Sequence, residues 1–99
     1  MKVRVLREAE EEIGAAADFY AREASVVAAR FLGEVDAALE RIARHPRSYA
    51  RVDRRFRGCV LGRFPYTMIY TIAEQEVMVL AMAHQSRRPG YWRDRLPAQ

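Results

Sequence analysis

The segment from His84 to Arg95 holds the densest set of chemically capable side chains in this sequence, HQSRRPGYWRDR. It combines one histidine, one tyrosine, one tryptophan and four arginines within twelve positions. Arginine binds phosphate and carboxylate through paired hydrogen bonds, and aromatic rings stack on bases or on partner side chains. The residue types therefore allow three interpretations: an active site, a binding surface for a partner, or the end of a small domain.

Few residues in the chain qualify as catalysts. His84 closes an apolar run, where it suits either a general acid or base near neutral pH or a hydrogen bond to a neighbouring group. No spacing indicates a Ser-His-Asp or Cys-His arrangement, or a metal site, and the single cysteine, Cys59, is expected to be a small apolar core residue. Whether the protein is an enzyme stays open at this point. If it is one, arginine and tyrosine, with or without His84, fit metal-independent cleavage of RNA, and no cofactor is expected.

The positive charge of the chain lies in its second half. Residues 1–50 carry eight basic and nine acidic side chains, and residues 51–99 carry nine basic and four acidic ones, which gives the net charge of +4. Sixteen of the seventeen basic residues are arginine. A GC-rich genome explains the preference for arginine over lysine, whereas the clustering indicates an anionic partner.

Nothing in the sequence predicts export or membrane insertion. The N-terminus, MKVRVLREAEEE, lacks the apolar stretch of a signal peptide, and no apolar run approaches the roughly 18 residues of a membrane span. We therefore expect a cytoplasmic protein with no membrane partner.

Hydrophobic periodicity predicts a strand, two helices and three strands, in that order. Residues 2–6 alternate as a strand, and two helical patterns follow, the first with Glu10 to Glu12 as its solvated acidic start and the second ending before Pro46. From Arg55 onward, alternation and β-branched or aromatic residues predict three strands, the last being VMVLAMAH. The predicted fold is α+β (β-α-α-β-β-β), a single domain over residues 1–99 with an antiparallel helix pair on one face of a twisted antiparallel sheet.

The first strand after the helices places arginines at alternate positions. Arg55, Arg57 and Arg63 are all odd-numbered, so an uninterrupted strand would point them toward one face of the sheet. Together with the tail they would form a basic surface with an aromatic rim, composed of Arg55, Arg57, Arg63, Arg87, Arg88, Arg93, Arg95, Tyr66, Tyr91 and Trp92. This arrangement predicts a surface for an anionic partner, and the alternative is that the strand arginines only prevent edge-to-edge aggregation.

The order of elements and several short motifs resemble the RelE/ParE superfamily of type II toxin–antitoxin toxins. The motifs are Phe-Pro-Tyr at residues 64–66, Tyr70 in the same strand, and H-x-x-R-x-P-x-Y-W over residues 84–92. The resemblance covers nearly the whole chain. It implies a growth-inhibiting toxin that is neutralised by a cognate antitoxin in a hetero-oligomeric complex.

The superfamily divides by activity. RelE-like members cleave mRNA on the ribosome, whereas ParE-like members share the fold, are not nucleases and poison DNA gyrase. By position, either Arg87 or Arg88 matches the C-terminal arginine of the RelE-like set and Tyr91 matches its tyrosine, with His84 and Arg63 as further catalytic candidates. Thr67 stands near the place where that set requires an arginine, which favours the ParE-like branch. A third alternative is a degenerate, non-toxic member that binds only its antitoxin.

The resemblance and the charge pattern together predict two binding surfaces. The target, gyrase or the ribosome with its mRNA, is expected to contact Arg55, Arg57, Arg63, Arg87, Arg88, Trp92 and Arg93. The antitoxin is expected to cover an apolar sheet face that includes Tyr66, Met78, Leu80 and Met82. Because the tail from Arg87 onward is polar, we also expect it to be dispensable for folding.

Overall fold

Four strands and two helices follow one another in the order expected from the sequence. The computed structural model describes residues 1–96, and its elements are β1 (Lys2–Val5), α1 (Arg7–Glu23), α2 (Ser25–Arg44), β2 (Arg57–Val60), β3 (Tyr66–Ala73) and β4 (Glu76–His84). A 3₁₀ turn over Arg93–Arg95 follows β4. The predicted α+β fold with β-α-α-β-β-β order is confirmed. Within the described residues, neither helix is long and apolar enough to cross a membrane.

The strands form one sheet in the order β1-β4-β3-β2, so the apolar strand β4 lies centrally. β2, β3 and β4 pair antiparallel, whereas β1 pairs with β4 in parallel. Parallel neighbours need a long connection, and here both helices and two strands intervene between them. The sheet is therefore mixed at the β1 edge and antiparallel elsewhere.

The helix pair packs on one face of this sheet. Phe31, Val35 and Ile42 recur on one side of α2 at helical spacing, and each is at most 3 % exposed. They belong to one buried cluster with the strand residues Cys59, Met68, Tyr70, Val77, Val79 and Met82. Burying each large apolar side chain contributes about 1.5–3 kcal/mol, so this layer supplies most of the driving force for folding. Cys59 is the buried filler that the sequence predicted.

The opposite face of the sheet is covered in part by the segment after β4. Trp92 is 6 % exposed and packs in a second cluster with Phe56, Ile69 and Leu80. A β-bulge enlarges this cluster, because the register shift next to Ile69 leaves Leu80 without a partner in β3. The tail is therefore not too polar to enter a core, which was the ground for expecting it to be dispensable for folding.

Tyr70 links the sheet to the end of the second helix. Its side chain is fully buried, and its hydroxyl donates a 2.6 Å hydrogen bond to the carbonyl of Pro46. Burial raises the pKa of Tyr70 to about 12. The folded protein therefore holds this proton more tightly than the unfolded chain, and the linked stability is lost as the pH rises from about 10 toward about 12.

The variant Tyr70→Phe tests this linkage. We expect it to lower the free energy of unfolding near neutral pH by about 1–2 kcal/mol, because the Pro46 carbonyl loses its donor. The same variant should lose part of the decline in stability above pH ~10, since phenylalanine has no proton to release. Urea denaturation across this pH range measures both effects, and identical alkaline slopes for the two proteins would contradict the assignment.

Candidate functional site

A small groove forms where β3 begins and β4 ends. It has a volume of about 200 Å³ and lies between these strand ends and the turn that follows β4. We call it the tail groove, and its lining includes Thr67, His84, Arg87, Arg88, Tyr91 and Trp92. Strand pairing brings the two ends together, because Thr67 pairs with Ala83 next to His84. Most of the tail residues predicted to act on a target therefore converge here, with Thr67 beside them.

Glu12 of α1 holds the tail against the sheet. Its carboxylate accepts hydrogen bonds from the Tyr91 hydroxyl (2.7 Å), from both Nη atoms of Arg95 (3.0 and 2.9 Å) and from the backbone N–H of Met82 (3.0 Å). Arg95 also donates to the carbonyl of Leu80 at 2.8 Å. These two backbone groups lie in β4 beyond the end of its pairing with β1. The side chains thus satisfy strand groups that would otherwise be unpaired.

These contacts set the ionisation of the cluster. Burial of the Glu12 carboxyl opposes its charge, but hydrogen bonds from Arg95, Tyr91 and the backbone outweigh burial and lower the pKa of Glu12. Burial and the hydrogen bond to Glu12 raise the pKa of Tyr91. The hydrogen bond to Glu12 likewise raises the pKa of Arg95. The Tyr91 hydroxyl therefore keeps its proton and donates a hydrogen bond to the Glu12 carboxylate within the fold.

The sequence pattern gives a weak sign of this role for Glu12. The position lies three residues after Ala9 and four before Ala16, both of which are buried, so it falls within the apolar side of α1. A carboxylate on the apolar side of a helix is the one sign in the sequence that Glu12 has a partner inside the fold. Its partner Tyr91 stands 79 positions away, and no local pattern connects the two.

His84 is oriented by Ser86. Its Nδ1 accepts a hydrogen bond from the Ser86 N–H at 3.0 Å and lies 2.8 Å from the Ser86 hydroxyl. An accepting Nδ1 places the proton of the neutral ring on Nε2. The ring also packs edge-on against Tyr66, with centroids 5.0 Å apart. Of the two interpretations that the sequence allowed for His84, these contacts fit the histidine that is hydrogen-bonded to a neighbouring group.

Two residues expected to contact the target are engaged inside the fold. Trp92 packs edge-on against Phe56, and its indole N–H has no hydrogen-bond partner within residues 1–96. Arg93 donates from Nε at 3.0 Å, and also from Nη2, to one carboxylate oxygen of Asp53. A partner reaches the Trp92 ring only if the tail moves.

Arg87 and Arg88 carry the accessible charge of the tail groove. Both are exposed, and neither forms an ion pair within the described part of the chain. The Arg87 guanidinium stands 3.9 Å from the centre of the Tyr91 ring, a cation–π contact that fixes its position.

Arg55, Arg57 and Arg63 do not share the open face of the sheet. Arg57 pairs with Tyr70 across β2 and β3 and therefore lies on the helix-covered side, at the sheet edge. Arg55 precedes β2, and Arg63 lies beyond its other end, in a turn where its φ is +69°. The expectation of a single arginine face is wrong because β2 is four residues long, too short for positions 55 to 63 to alternate as one strand.

Of the four residues expected to meet the antitoxin, two have accessible surface. Tyr66 is half-buried on the helix side, and Met78 is half-buried on the opposite side. Leu80 and Met82 are 0 % and 2 % exposed and belong to different clusters. A partner contacts Leu80 only if part of the protein is displaced, and Met82 offers it little surface.

The variant Glu12→Gln tests the cluster that holds the tail. Removing the charge leaves the Arg95 guanidinium uncompensated at a site where both side chains are 18 % exposed. We expect the free energy of unfolding to fall by about 2–4 kcal/mol, measured by urea denaturation. Glu10→Gln, an exposed carboxylate on the same helix, is the matched control and should change it by less than about 0.5 kcal/mol.

The pH dependence gives a second measure of the same contact. Because the folded state lowers the pKa of Glu12, its contribution to stability is present above the ordinary carboxyl pKa and is lost as the pH falls through the folded-state value. The gap between wild type and Glu12→Gln should therefore narrow in acid. A gap that stays constant down to low pH would exclude this carboxylate as its source.

Comparison with known proteins places this chain in a family. A family model described as the ParE toxin of the type II toxin–antitoxin system parDE matches residues 3–89, which span all six elements and reach the tail groove. A solved structure described as the chromosomal ParDE TA system from P. aeruginosa superposes with a TM-score of 0.65 at 18 % identity, covering 85 % of this chain and 95 % of that one. At this identity the superposition shows a shared fold, and no curated protein matches. The family match shows that the chain belongs to the ParE toxins of type II toxin–antitoxin systems.

Proposed function

We propose that this toxin acts in the cytoplasm as a protein-binding inhibitor of DNA gyrase and not as a nuclease. The observation that carries the choice is the engagement of Tyr91 and Arg95 by Glu12. Metal-independent cleavage of RNA needs a group that moves the 2′-hydroxyl proton and cations that neutralise the phosphate. At the tail groove the tyrosine proton is committed to a carboxylate, and Thr67 has no charge to offer a phosphate.

Arg87 and Arg88 supply the contact chemistry for a protein target. They precede Pro89, whose ring restricts the backbone, and Arg87 is further held over Tyr91. Val52, which is 45 % exposed, lines the same groove and adds apolar surface beside the charges. Arginines held next to apolar surface are typical of the residues that contribute most to protein interfaces.

An in vitro supercoiling assay tests the proposal. We expect the purified toxin to inhibit gyrase and Arg87→Glu/Arg88→Glu to weaken inhibition by at least roughly tenfold, because two anchoring cations are reversed in sign. Arg22→Glu/Arg30→Glu makes the same change of charge on exposed helix positions and should leave inhibition intact.

The variant Tyr91→Phe separates the two branches of the superfamily. An inhibitor that works by binding should keep its activity in this variant, which loses only a hydrogen bond worth about 1 kcal/mol of stability. If the wild type spares gyrase but cleaves mRNA on ribosomes, and Tyr91→Phe abolishes cleavage, the RelE-like alternative is correct. A protein that does neither yet binds its antitoxin is the degenerate member.

Membership of the family implies an antitoxin partner, and we propose where it docks. A shallow pocket of about 280 Å³ lies between α1 and β4, lined by Ala15, Phe19, Tyr66 and Arg87 among others. Phe19 is 51 % exposed, although it is large and apolar. Exposed apolar surface with an arginine at its margin suits an amphipathic, acidic segment. Among the residues expected to bind the antitoxin, Tyr66 and Met82 line this pocket, and Met78 lies on the other side of the sheet.

Substitution of Phe19 tests the docking surface. We expect Phe19→Asp to weaken binding of the antitoxin, taken as the short acidic protein encoded beside the toxin, by roughly 10- to 100-fold, because an apolar anchor is replaced by a charge that repels acidic residues. Val26→Asp, on an exposed position of α2 with 56 % exposure, is the matched control and should keep full affinity. Isothermal titration calorimetry measures both variants, and equal losses would argue against this surface.

A further inference from the structure

A second and larger groove lies at the opposite end of the sheet, beside the turn between β3 and β4. Its volume is about 590 Å³. One wall is the segment between α2 and β2 together with the first residue of β2, which contribute four arginines and one, and the other includes Thr71, Glu74 and Met78. We call it the arginine groove, and its cations are Arg47, Arg51, Arg54, Arg55 and Arg57.

The charge of this groove is largely uncompensated. Glu74 is its one carboxylate, and none of the five arginines forms an ion pair within residues 1–96. The acidic residue of the same segment, Asp53, is committed elsewhere: its carboxylate accepts from Arg93 and from the backbone N–H groups of Arg55 and Phe56. An excess of about four positive charges therefore faces one cavity.

Two of the five arginines, Arg51 and Arg57, are held in place without being neutralised. Arg57 Nη1 donates to the carbonyls of Arg47 (3.1 Å) and Tyr49 (2.8 Å), and Arg51 Nη1 donates to the carbonyl of Arg54 (3.1 Å). A carbonyl orients a guanidinium but cancels none of its charge, and the remaining N–H groups stay free to donate. The wall itself is ordered by pairing with β2, through the Arg51–Arg57 bridge. The site is preorganised for an anion.

We infer that the arginine groove binds the phosphate backbone of duplex DNA without reading its sequence. Apart from the arginines, the lining has no side chain with a free donor, because the Thr71 hydroxyl donates to the carbonyl of Arg55 at 2.7 Å. Side chains that read bases project into a DNA groove, whereas the guanidinium groups here line a concave surface and meet the backbone on the outside of the duplex. Arginine suits phosphate because its planar fork donates two hydrogen bonds at once.

The lining also distinguishes duplex DNA from other nucleic acids. Single strands are held mainly by stacking of bases on accessible aromatic rings, but the aromatic residue of this lining, Phe56, is 2 % exposed. Duplex RNA is recognised in part through its 2′-hydroxyls, for which the lining offers no free hydroxyl or amide. A DNA duplex, which presents regularly spaced phosphates on its outside, needs neither group.

An acidic protein segment is the competing occupant. Protein segments gain affinity chiefly by burying apolar anchors in pockets. The large apolar residues of this groove are already buried or half-buried, as for Ile72, Met78 and Leu96. The dominant accessible feature of the groove is its positive charge, and the phosphate backbone of DNA complements that charge. The inference does not depend on gyrase being the target, and it can fail while the proposed function holds.

Fluorescence anisotropy with a labelled duplex of about 20 base pairs and random sequence tests the inference. We expect the purified toxin to bind and the logarithm of its affinity to fall linearly with the logarithm of salt concentration. Arg51→Gln/Arg54→Gln/Arg55→Gln should reduce that slope by about three and weaken binding at ~50 mM salt on the order of 100-fold. Arg7→Gln/Arg22→Gln/Arg30→Gln, which removes the same charge from exposed helix positions, should keep the slope within about one.

A lysine set checks that the loss reflects charge and not misfolding. Arg51→Lys/Arg54→Lys/Arg55→Lys keeps the point charges that phosphate contacts require, so it should retain most of the slope. Loss equal to that of the glutamine set would overturn backbone recognition. The inference is also overturned if the helix control loses as much as the groove set, or if a single strand or an RNA duplex of the same sequence binds more tightly. Polyglutamate and unlabelled duplex can each be used to displace the labelled DNA. If polyglutamate does so at a lower concentration of negative charges than the duplex, the groove would be assigned to an acidic protein segment instead.

Discussion

The position of the segment from Tyr91 to Arg95 depends largely on one carboxylate, that of Glu12, beside a second ion pair between Arg93 and Asp53. Glu12 lies on α1 and accepts hydrogen bonds from β4 and from two residues of the tail. A partly buried carboxylate is tolerated because four hydrogen bonds, two of them from one guanidinium, replace the water it loses. Trp92 lies between Tyr91 and Arg95, which both bind Glu12. These contacts therefore hold the indole in the second cluster. Helix packing, strand edge and tail groove are therefore coupled through a single side chain.

The arginines of this chain also differ in what they can do, because each guanidinium has different neighbours. Arg93 and Arg95 are paired with carboxylates and act as structural residues. Arg87 is stacked on an aromatic ring and keeps its full charge at the surface. Arg57 is held by backbone carbonyls, which orient a cation without neutralising it. The charge that a partner meets is thus set by the neighbours of each guanidinium, and it differs from the count along the sequence.

Much of the fold follows from periodicity in the sequence. The apolar positions Phe31, Val35 and Ile42 repeat at helical spacing, and they are the residues that α2 buries. The long apolar run of β4 predicts a strand covered on both faces, and it lies centrally in the sheet. The single arginine face fails because a four-residue strand cannot carry the alternation, and the bulge at Leu80 shifts the faces of β4 in a way that no local pattern indicates.

The features of the candidate site likewise divide into those that local sequence patterns predict and those that they do not. Local patterns are sufficient to predict the order of elements and the family resemblance. They also predict that His84, Arg87 and Arg88 lie together at a strand end, because these residues are neighbours in sequence. The roles of Glu12, Tyr91 and Trp92 arise only in the folded chain. Tyr91 and Glu12 meet across 79 positions, and a residue acquires such a partner from the packing of distant elements. Whether a polar side chain acts on a target or holds the fold together is therefore decided by tertiary contacts, because they determine which donors and charges remain free.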